Sequence, residues 1–427
     1  MLGLIKSIFV ICLVLLGVLI AGIVFLIFFV NPNQYKSEII ESVQKSTGRS
    51  LVINGNIQWT FFPMLGIKID GVKLGNPATF PAADFLSVNS AEISVAFRPL
   101  FKSQVQMGKI VLDHLQLNLI KNTSGQVNWQ DDSSNLNNGV ETQHIASLQK
   151  DNHQFFKVAL FTVGEVDLRD SNIVYQDQKQ NKEIILNQVQ LKSKNIALNQ
   201  LFPVDIQTQL LFKDNKVSQP VDIKIKGNML IGVNKLRLQD LDANTNQYHW
   251  MGWLEMNFLK KDISGLNGNI SFSGKNGAFQ GIDLYYYSNL ADAMINQTQP
   301  TRQDTHQTPF NSIQGTLDIQ DGIVSNHDLF IQAQGINASG QGTVDLVSQQ
   351  LDYQISLQRL TSGAQIQPRG PAIPLSVTGT ISDPKVRPDW TSITVTEIKS
   401  QIKEQIEKHK DQIPESIQKG LQSLLGD

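Results

Sequence analysis

Hydrophobic positions follow two regimes along this chain. From Leu4 to Val30 they run almost without interruption, and Lys6 is the only charge among them. From Leu51 onward they recur at every second position, separated by Asn, Gln, Ser, Thr and Lys. About 20 apolar residues cross a bilayer as a helix, so the first run predicts a transmembrane anchor over residues 1–30. A cleaved signal peptide has an apolar core of about 7–15 residues ending at a small-x-small site. Here the best such site, after Ala21, has Leu19 where a small residue is needed. The anchor is therefore expected to remain attached. Lys6 lies on the short flank and Asn31–Tyr35 on the other flank is uncharged, which keeps the N-terminus cytoplasmic and exports the rest.

Pro32 ends the first regime, because its ring and missing N–H disfavour helix continuation. The pattern then predicts a helix over Gln34–Thr47, capped by Asn33, with Ile39, Ile40 and Val43 as its apolar stripe and Gly48 as its stop. In the second regime, residues two apart share one face of a strand. Leu51, Ile53, Ile57, Trp59 and Phe61 have one parity; Ile67 and Ile69 continue it, and Val72 and Leu74 start a new register after Gly71. Ile93-Val95-Phe97 and Ile110-Leu112 complete an N-terminal β region over residues 31–120.

Residues 121–154 are rich in Asn, Ser, Asp and Gln and read as a flexible linker or long loop. A middle β region over 155–296 includes Val204-Ile206-Thr208-Leu210-Phe212 and Val221-Ile223-Ile225. It ends in a short helix with Asp283 as N-cap and Leu284, Leu290, Ala291 and Met294 as its buried stripe. A C-terminal β region over 297–390 includes Leu329-Ile331, Leu351-Tyr353-Ile355-Leu357 and Leu375-Val377. The tail, 391–427, carries an apolar stripe from Ile398 to Leu425 at helical spacing and reads as an amphipathic helix kinked at Pro414. Met107–Leu119 aligns without gaps on Val163–Tyr175, matching Gly108 with Gly164, Leu112 with Leu168 and Leu117 with Ile173. We read this as one strand–turn–strand unit used twice.

Composition narrows the chemistry. The net charge is −2, so no global field attracts nucleic acid. Cys12, the single cysteine, lies in the apolar run, so disulfides and cysteine-ligated metals are excluded from the remainder. The seven histidines show no metal-ligand spacing, and there is no nucleophile elbow or phosphate-binding loop. Gly340-Gln-Gly342 sits inside a strand pattern and reads as a bulge or turn. Asp131/Asp132 and Asp170/Asp177 are the nearest thing to acid pairs, and solvated carboxylates are the simpler reading. The expectation is a non-enzyme with no catalytic residues, no cofactor and no metal. A sheet with one apolar face must hide that face against a second sheet or against hydrocarbon, and periodicity leaves both open.

Particular stretches resemble the AsmA family: Phe29–Tyr35 after the apolar run, Gly48–Leu65, Ala83–Phe85 with Ile93–Phe101, Gly277–Asp283, Phe310–Leu346 and Pro374–Asp389. The family is similar to bridge-like lipid-transfer proteins. The resemblance implies a Gram-negative inner-membrane anchor followed by an elongated, curved antiparallel β-sheet groove in the periplasm, mainly β with few helices. It implies phospholipid acyl chains and the inner membrane as partners, with outer-membrane or periplasmic proteins beyond them. The function implied is carriage of phospholipid between inner and outer membranes in support of outer-membrane assembly. The alternative is an anchored scaffold for outer-membrane proteins with a closed core. The residues expected to line the groove are Ile57, Trp59 and Phe61; Ile93, Val95 and Phe97; Ile206 and Leu210; Ile223 and Ile225; Leu329 and Ile331; Tyr353 and Ile355; and Leu375 and Val377.

Overall fold

The computed structural model describes residues 31–60, 65–95, 107–130, 162–213, 219–260, 262–295, 298–361 and 366–389. The predicted anchor, most of the predicted linker and the C-terminal tail lie outside the described residues, as do Phe61 and Phe97. The protein is mainly β, and its contacts divide it into two compact units, Met1–Val233 and Asn234–Asp427. No helix among the described residues is long and apolar enough to cross a membrane.

Unit 1 begins with a 3-10 turn at Pro32–Tyr35, which runs into helix α1 (Lys36–Thr47). Asn33 does not cap the helix: α1 begins at Lys36 rather than Gln34, with Tyr35 at its N-cap and no side-chain bond. The capped element is the 3-10 turn, where the Asn31 carboxamide accepts from the Asn33 N–H at 3.0 Å. Asn33 turns outward to the sheet, accepting from the Ile57 N–H at 2.8 Å and donating to the Ile57 carbonyl at 3.1 Å. A side chain that satisfies a strand edge cannot also close a helix end. Gly48 does end α1, with φ 70°.

Strands β1 (Leu51–Ile53) and β2 (Ile57–Thr60) both pair with β3 (Leu65–Gly75), which pairs with β4 (Asp84–Val95). β4 is followed by β5 (Met107–Asp113) and β6 (Gln116–Lys121). These two lie parallel to one long strand, β7 (Thr162–Asp177), and the antiparallel order resumes through β8 (Lys182–Ala197), β9 (Leu201–Lys213) and β10 (Val221–Ile231). The parallel register pairs Met107 with Val163, Leu112 with Leu168 and Leu117 with Ile173, the same correspondence as the sequence repeat. The repeat is therefore two chain segments lying side by side in register. Its centre is a bulge rather than a hairpin turn, because His114 and Asp170 adopt φ of 52° and 40° and the chain continues in the same direction.

Unit 2 is an antiparallel run: β11 (Lys235–Asn244), β12 (Tyr248–Asn257), β13 (Leu266–Gln280), β14 (Gln307–Gln320), β15 (Ile323–Ala333), β16 (Ile336–Asp345), β17 (Gln350–Arg359), β18 (Ile373–Thr380) and β19 (Asp383–Pro388). Helix α2 (Leu284–Ile295) lies between β13 and β14 and packs on the sheet. Asp283 is its N-cap as predicted, accepting from the Tyr286 N–H at 3.0 Å. Leu284 and Ala291 of the predicted stripe are buried, and Tyr285 and Tyr287 pack beside them. The β14–β15 hairpin turns at Asp321–Gly322, both with positive φ, the geometry that matches strand twist in a two-residue loop.

Candidate functional site

In unit 1 the strand registers bring the alternating aliphatics into transverse rows. One row runs Ile57, Ile69, Ala91, Leu112, Leu168, Leu191, Ile206, Ile225, crossing β2 to β10 with each residue paired directly to the next. The adjacent row runs Trp59, Ile67, Ile93, Ile110, Val166, Ser193, Val204, Gly227. On the other side of the bulges, Leu51, Leu74, Leu86, Leu117, Ile173, Leu186, Leu210 and Val221 form a third. Strand pairing alone thus places Ile57, Trp59, Ile93, Ile206, Leu210 and Ile225 of the predicted lining on one face. Ile223 lies on that face opposite Thr208, and Val95 pairs with Leu65 and Met107 at its end.

The bulges keep that face continuous. Gly71, with φ 64°, sits opposite the β1–β2 break, where the Asn54 N–H bonds the Gly71 carbonyl at 2.9 Å. An extra residue would otherwise flip Val72 and Leu74 to the far side; the left-handed residue absorbs it, so Val72 faces Ile53 and Val88. His114, Asp170 and Gln188 do the same on the neighbouring strands, all with positive φ. Two polar side chains on this face are turned into the backbone, while the buried Ser193 hydroxyl in the second row has no hydrogen-bond partner. Ser171, fully buried, donates to the Arg169 carbonyl at 2.8 Å and accepts from the Leu115 N–H at 3.1 Å. The Thr208 hydroxyl donates to the Asn187 carbonyl at 2.9 Å.

The opposite face of unit 1 carries charge. Lys109 pairs with Glu165 at 2.9 Å, and Arg169 with Asp167 at 2.6 Å. Burial pushes the Asp167 carboxyl up, but the bonds from Arg169, with Lys109 and Lys192 nearby, outweigh it and hold the carboxyl below its usual range. On the apolar side, at the end of β7, Asp177 is pushed up by burial and brought down by the Gln180 N–H and Lys121, so it caps a turn. Asp170 contacts His114 Nε2 at 3.1 Å. Asp131 and Asp132 lie outside the described residues. Among the described residues no three His, Cys, Asp or Glu side chains gather as they would around a metal.

Unit 2 treats its apolar face differently. Ile331, Ala338, Leu357 and Ile373 form one paired row, and all are essentially without exposure. Leu284 and Ala291 of α2 belong to the same closed cluster. Leu329, Ile355, Leu375 and Val377 of the predicted lining are also buried in it, with Tyr353 packed alongside. Further along the same strands the cover ends and a cavity of about 400 Å³ opens, lined by Phe272, Ile313, Leu317, Val324, Val344 and Leu351 with Tyr353 and Val377. Its polar side chains are the exposed Gln280 and one bonded pair: the Tyr353 hydroxyl donates to the Asn326 carboxamide, which itself donates to the Thr316 carbonyl at 2.9 Å. Burial raises the Tyr353 phenol above its ordinary value. Sequence reading had identified most of these strands; it lacked the pairing offsets that make rows, and it gave no sign that α2 would cover one part of a row and leave another open.

Fold and face together define a protein built on half-apolar strands whose largely aliphatic rows run across the sheet. A model of the AsmA family matches residues 3–245, more than half of the chain, and the chain belongs to that family. Over 111 residues it is 26% identical to Protein AsmA of Escherichia coli (strain K12), an alignment covering 26% of this chain and 18% of that protein. The alignment therefore spans less than a fifth of that relative's length. No solved structure gives a significant match.

Proposed function

We propose that this is an inner-membrane-anchored periplasmic protein that carries phospholipid acyl chains along its apolar face, moving phospholipid between inner and outer membranes without catalysis. The observation that carries the reading is the row from Ile57 to Ile225, in which hydrocarbon meets hydrocarbon across β2 to β10. A lipid chain leaving a bilayer exposes methylenes at about 0.8 kcal/mol each, and a continuous aliphatic row removes that cost at every step. Membership of the AsmA family and the apolar run Leu4–Val30 support anchorage with residue 31 onward exported. The withdrawal of Ser171 and Thr208 into backbone bonds supports a surface that offers mainly hydrocarbon.

The test is mass spectrometry of lipid co-purified with the full chain, with Ile223→Asp as comparison. Phospholipid on the parent and little on a folded variant is the expected outcome; a lipid-free parent ends the proposal. N-terminal sequencing that began near Gly22 would remove the anchor. The scaffold reading draws its support from unit 2, where α2 closes the core over Ile331 and Leu357.

A further inference from the structure

The apolar face of unit 2 changes character along its strands. Val324, Val344 and Leu351 form a half-buried row. Next come Leu329, Ile355 and Leu375, and then the fully buried row of Ile331, Ala338, Leu357 and Ile373. Each step along a strand to the next residue on that face is about 7 Å. Within a few such steps, an open hydrocarbon surface runs under α2 and ends. Leu329, Ile355 and Val377 belong both to the cavity wall and to the closed cluster, so the cavity is the uncovered continuation of that core.

One wall of the cavity is the segment Phe279–Ile282, directly before α2. It is held unusually firmly. The buried Thr308 hydroxyl donates to the Ile282 carbonyl at 2.6 Å and accepts from the Leu284 N–H at 2.8 Å, bonding the chain on both sides of Asp283. Asp283, without exposure, accepts from the Thr305 hydroxyl at 2.6 Å and from Arg302 at 3.1 Å. Near the other end of α2, Asp292 pairs with the buried Arg359. The start of α2 is held to β14 by the Thr308 hydroxyl and to the following loop by the charge-assisted Asp283–Arg302 bond, and Asp292–Arg359 ties it to β17 by a second charge-assisted bond, the strong kind.

We propose that this cavity is a blind acyl-chain site: it takes the terminal hydrocarbon of one lipid chain, and the Ile282–Leu284 segment at the start of α2 is its end-stop. The occupant follows from the lining. The side chains of the wall are carbon apart from Tyr353 and Asn326, which satisfy each other and the Thr316 carbonyl, and Gln280, an exposed side chain that donates to the Gln307 carboxamide at 3.4 Å, so most of the surface offered is hydrocarbon. A cavity that offers aliphatic and aromatic carbon selects hydrocarbon. The site rests on the lipid-carrying function proposed above and adds to it a place where the apolar path terminates.

The test uses the full chain in phosphatidylethanolamine–phosphatidylglycerol vesicles containing a phospholipid with a diazirine near its acyl terminus. Adducts are mapped to peptides after illumination. Labelling is expected on Val344–Leu351 and on the unit 1 strands, and not on Ile336–Ala338 beneath α2. Leu351→Trp fills the cavity and should bring labelling there to background while unit 1 labelling persists. Thr308→Val frees the stop and should extend labelling to Ile336–Ala338; unfolding of this variant leaves the Leu351→Trp arm decisive. Equal labelling of the cavity and of Ile336–Ala338 in the parent overturns the end-stop. Labelling of unit 1 with none in the cavity overturns the site and leaves the carrying function standing; absence of labelling in both units removes both.

Discussion

Unit 1 and unit 2 apply the same alternation to opposite ends. In unit 1 the aliphatic rows run from Ile57 to Ile225, and the helix contacts are confined to its margin: α1 packs on β1 and the 3-10 turn on β2. Ile223 and Ile225 are half-buried there, between exposed Asp222, Lys224 and Lys226. In unit 2 a single amphipathic helix is placed over part of the rows, and Ile331, Leu357 and Ile373 lose all exposure. Both units use bulges to keep one face apolar, and each buries a polar side chain beside them, Ser171 in one and Asn326 in the other. Unit 1 also has a buried cluster on that face, Val88, Ala91, Leu115, Leu168 and Val189, so alternation makes a hydrocarbon face in both units, and what differs is how far along the rows that face is buried and whether α2 packs on it.

The comparison breaks most sharply under one substitution made twice. Ile331→Asp should unfold unit 2, since an unpaired carboxylate placed where exposure is zero costs several kcal/mol. Ile223→Asp should leave unit 1 folded, because a half-buried position lets the carboxylate reach water, and should act instead on bound lipid. Limited proteolysis of both variants distinguishes these outcomes, and equal unfolding would mean that both faces are closed cores.

Truncation is the milder form. Leu357→Ala should lower unit 2 stability by about 2–5 kcal/mol, the cost of lost burial plus a cavity. Ile225→Ala should cost about 1–2 kcal/mol in unit 1, where less surface is removed from water. Denaturant unfolding with a probe in each unit measures both.

Acid should weaken both units, unit 1 through Asp167 and Asp177 and unit 2 through Asp283, whose loss can be read at α2. Burial raises the Asp283 carboxyl, but Thr305, the Tyr286 N–H and Arg302 more than compensate, so its folded value is below the unfolded value of about 3.9. Its contribution is present in full above the unfolded value and is lost as pH falls through the lower folded value. The hold on α2 should therefore be constant from neutral pH to about 5 and weaken below about 4. Asp283→Asn should reduce that acid dependence in unit 2 melting. An unchanged acid profile would assign the effect to other carboxylates.

The smallest effects belong to the polar faces. Lys213 pairs with Glu183 and Lys235 with Glu255, each at 3.1 Å and with both lysines exposed. Either Lys→Ala change should alter melting by no more than about 0.5 kcal/mol. A large loss in one unit only would move the difference between the units away from the apolar face.

Period-two alternation identified most strands because each residue reports its own face, independent of the partner strand. The 107–119 and 163–175 repeat is legible as one unit used twice; that its copies lie side by side as the β5–β6 to β7 pairing is visible only in the structure. The Asp283 cap was readable because capping is local. The Asn33 assignment failed for a non-local reason: its carboxamide is claimed by Ile57, 24 residues away.

The sequence by itself determined that this chain would build half-apolar strands, where the bulge glycine at 71 would fall, and that no cysteine or nucleotide-loop chemistry would be present beyond the apolar run. Those are properties of single residues and near neighbours. Only the tertiary structure decided which aliphatics meet in rows, because a register joins residues up to 56 positions apart. It alone decided that α2 would be tied down by Thr308, Arg302 and Arg359 over one stretch of face and leave a cavity beside it. The same alternating pattern serves a covered face and an open one equally well, so the choice lies in what packs above it.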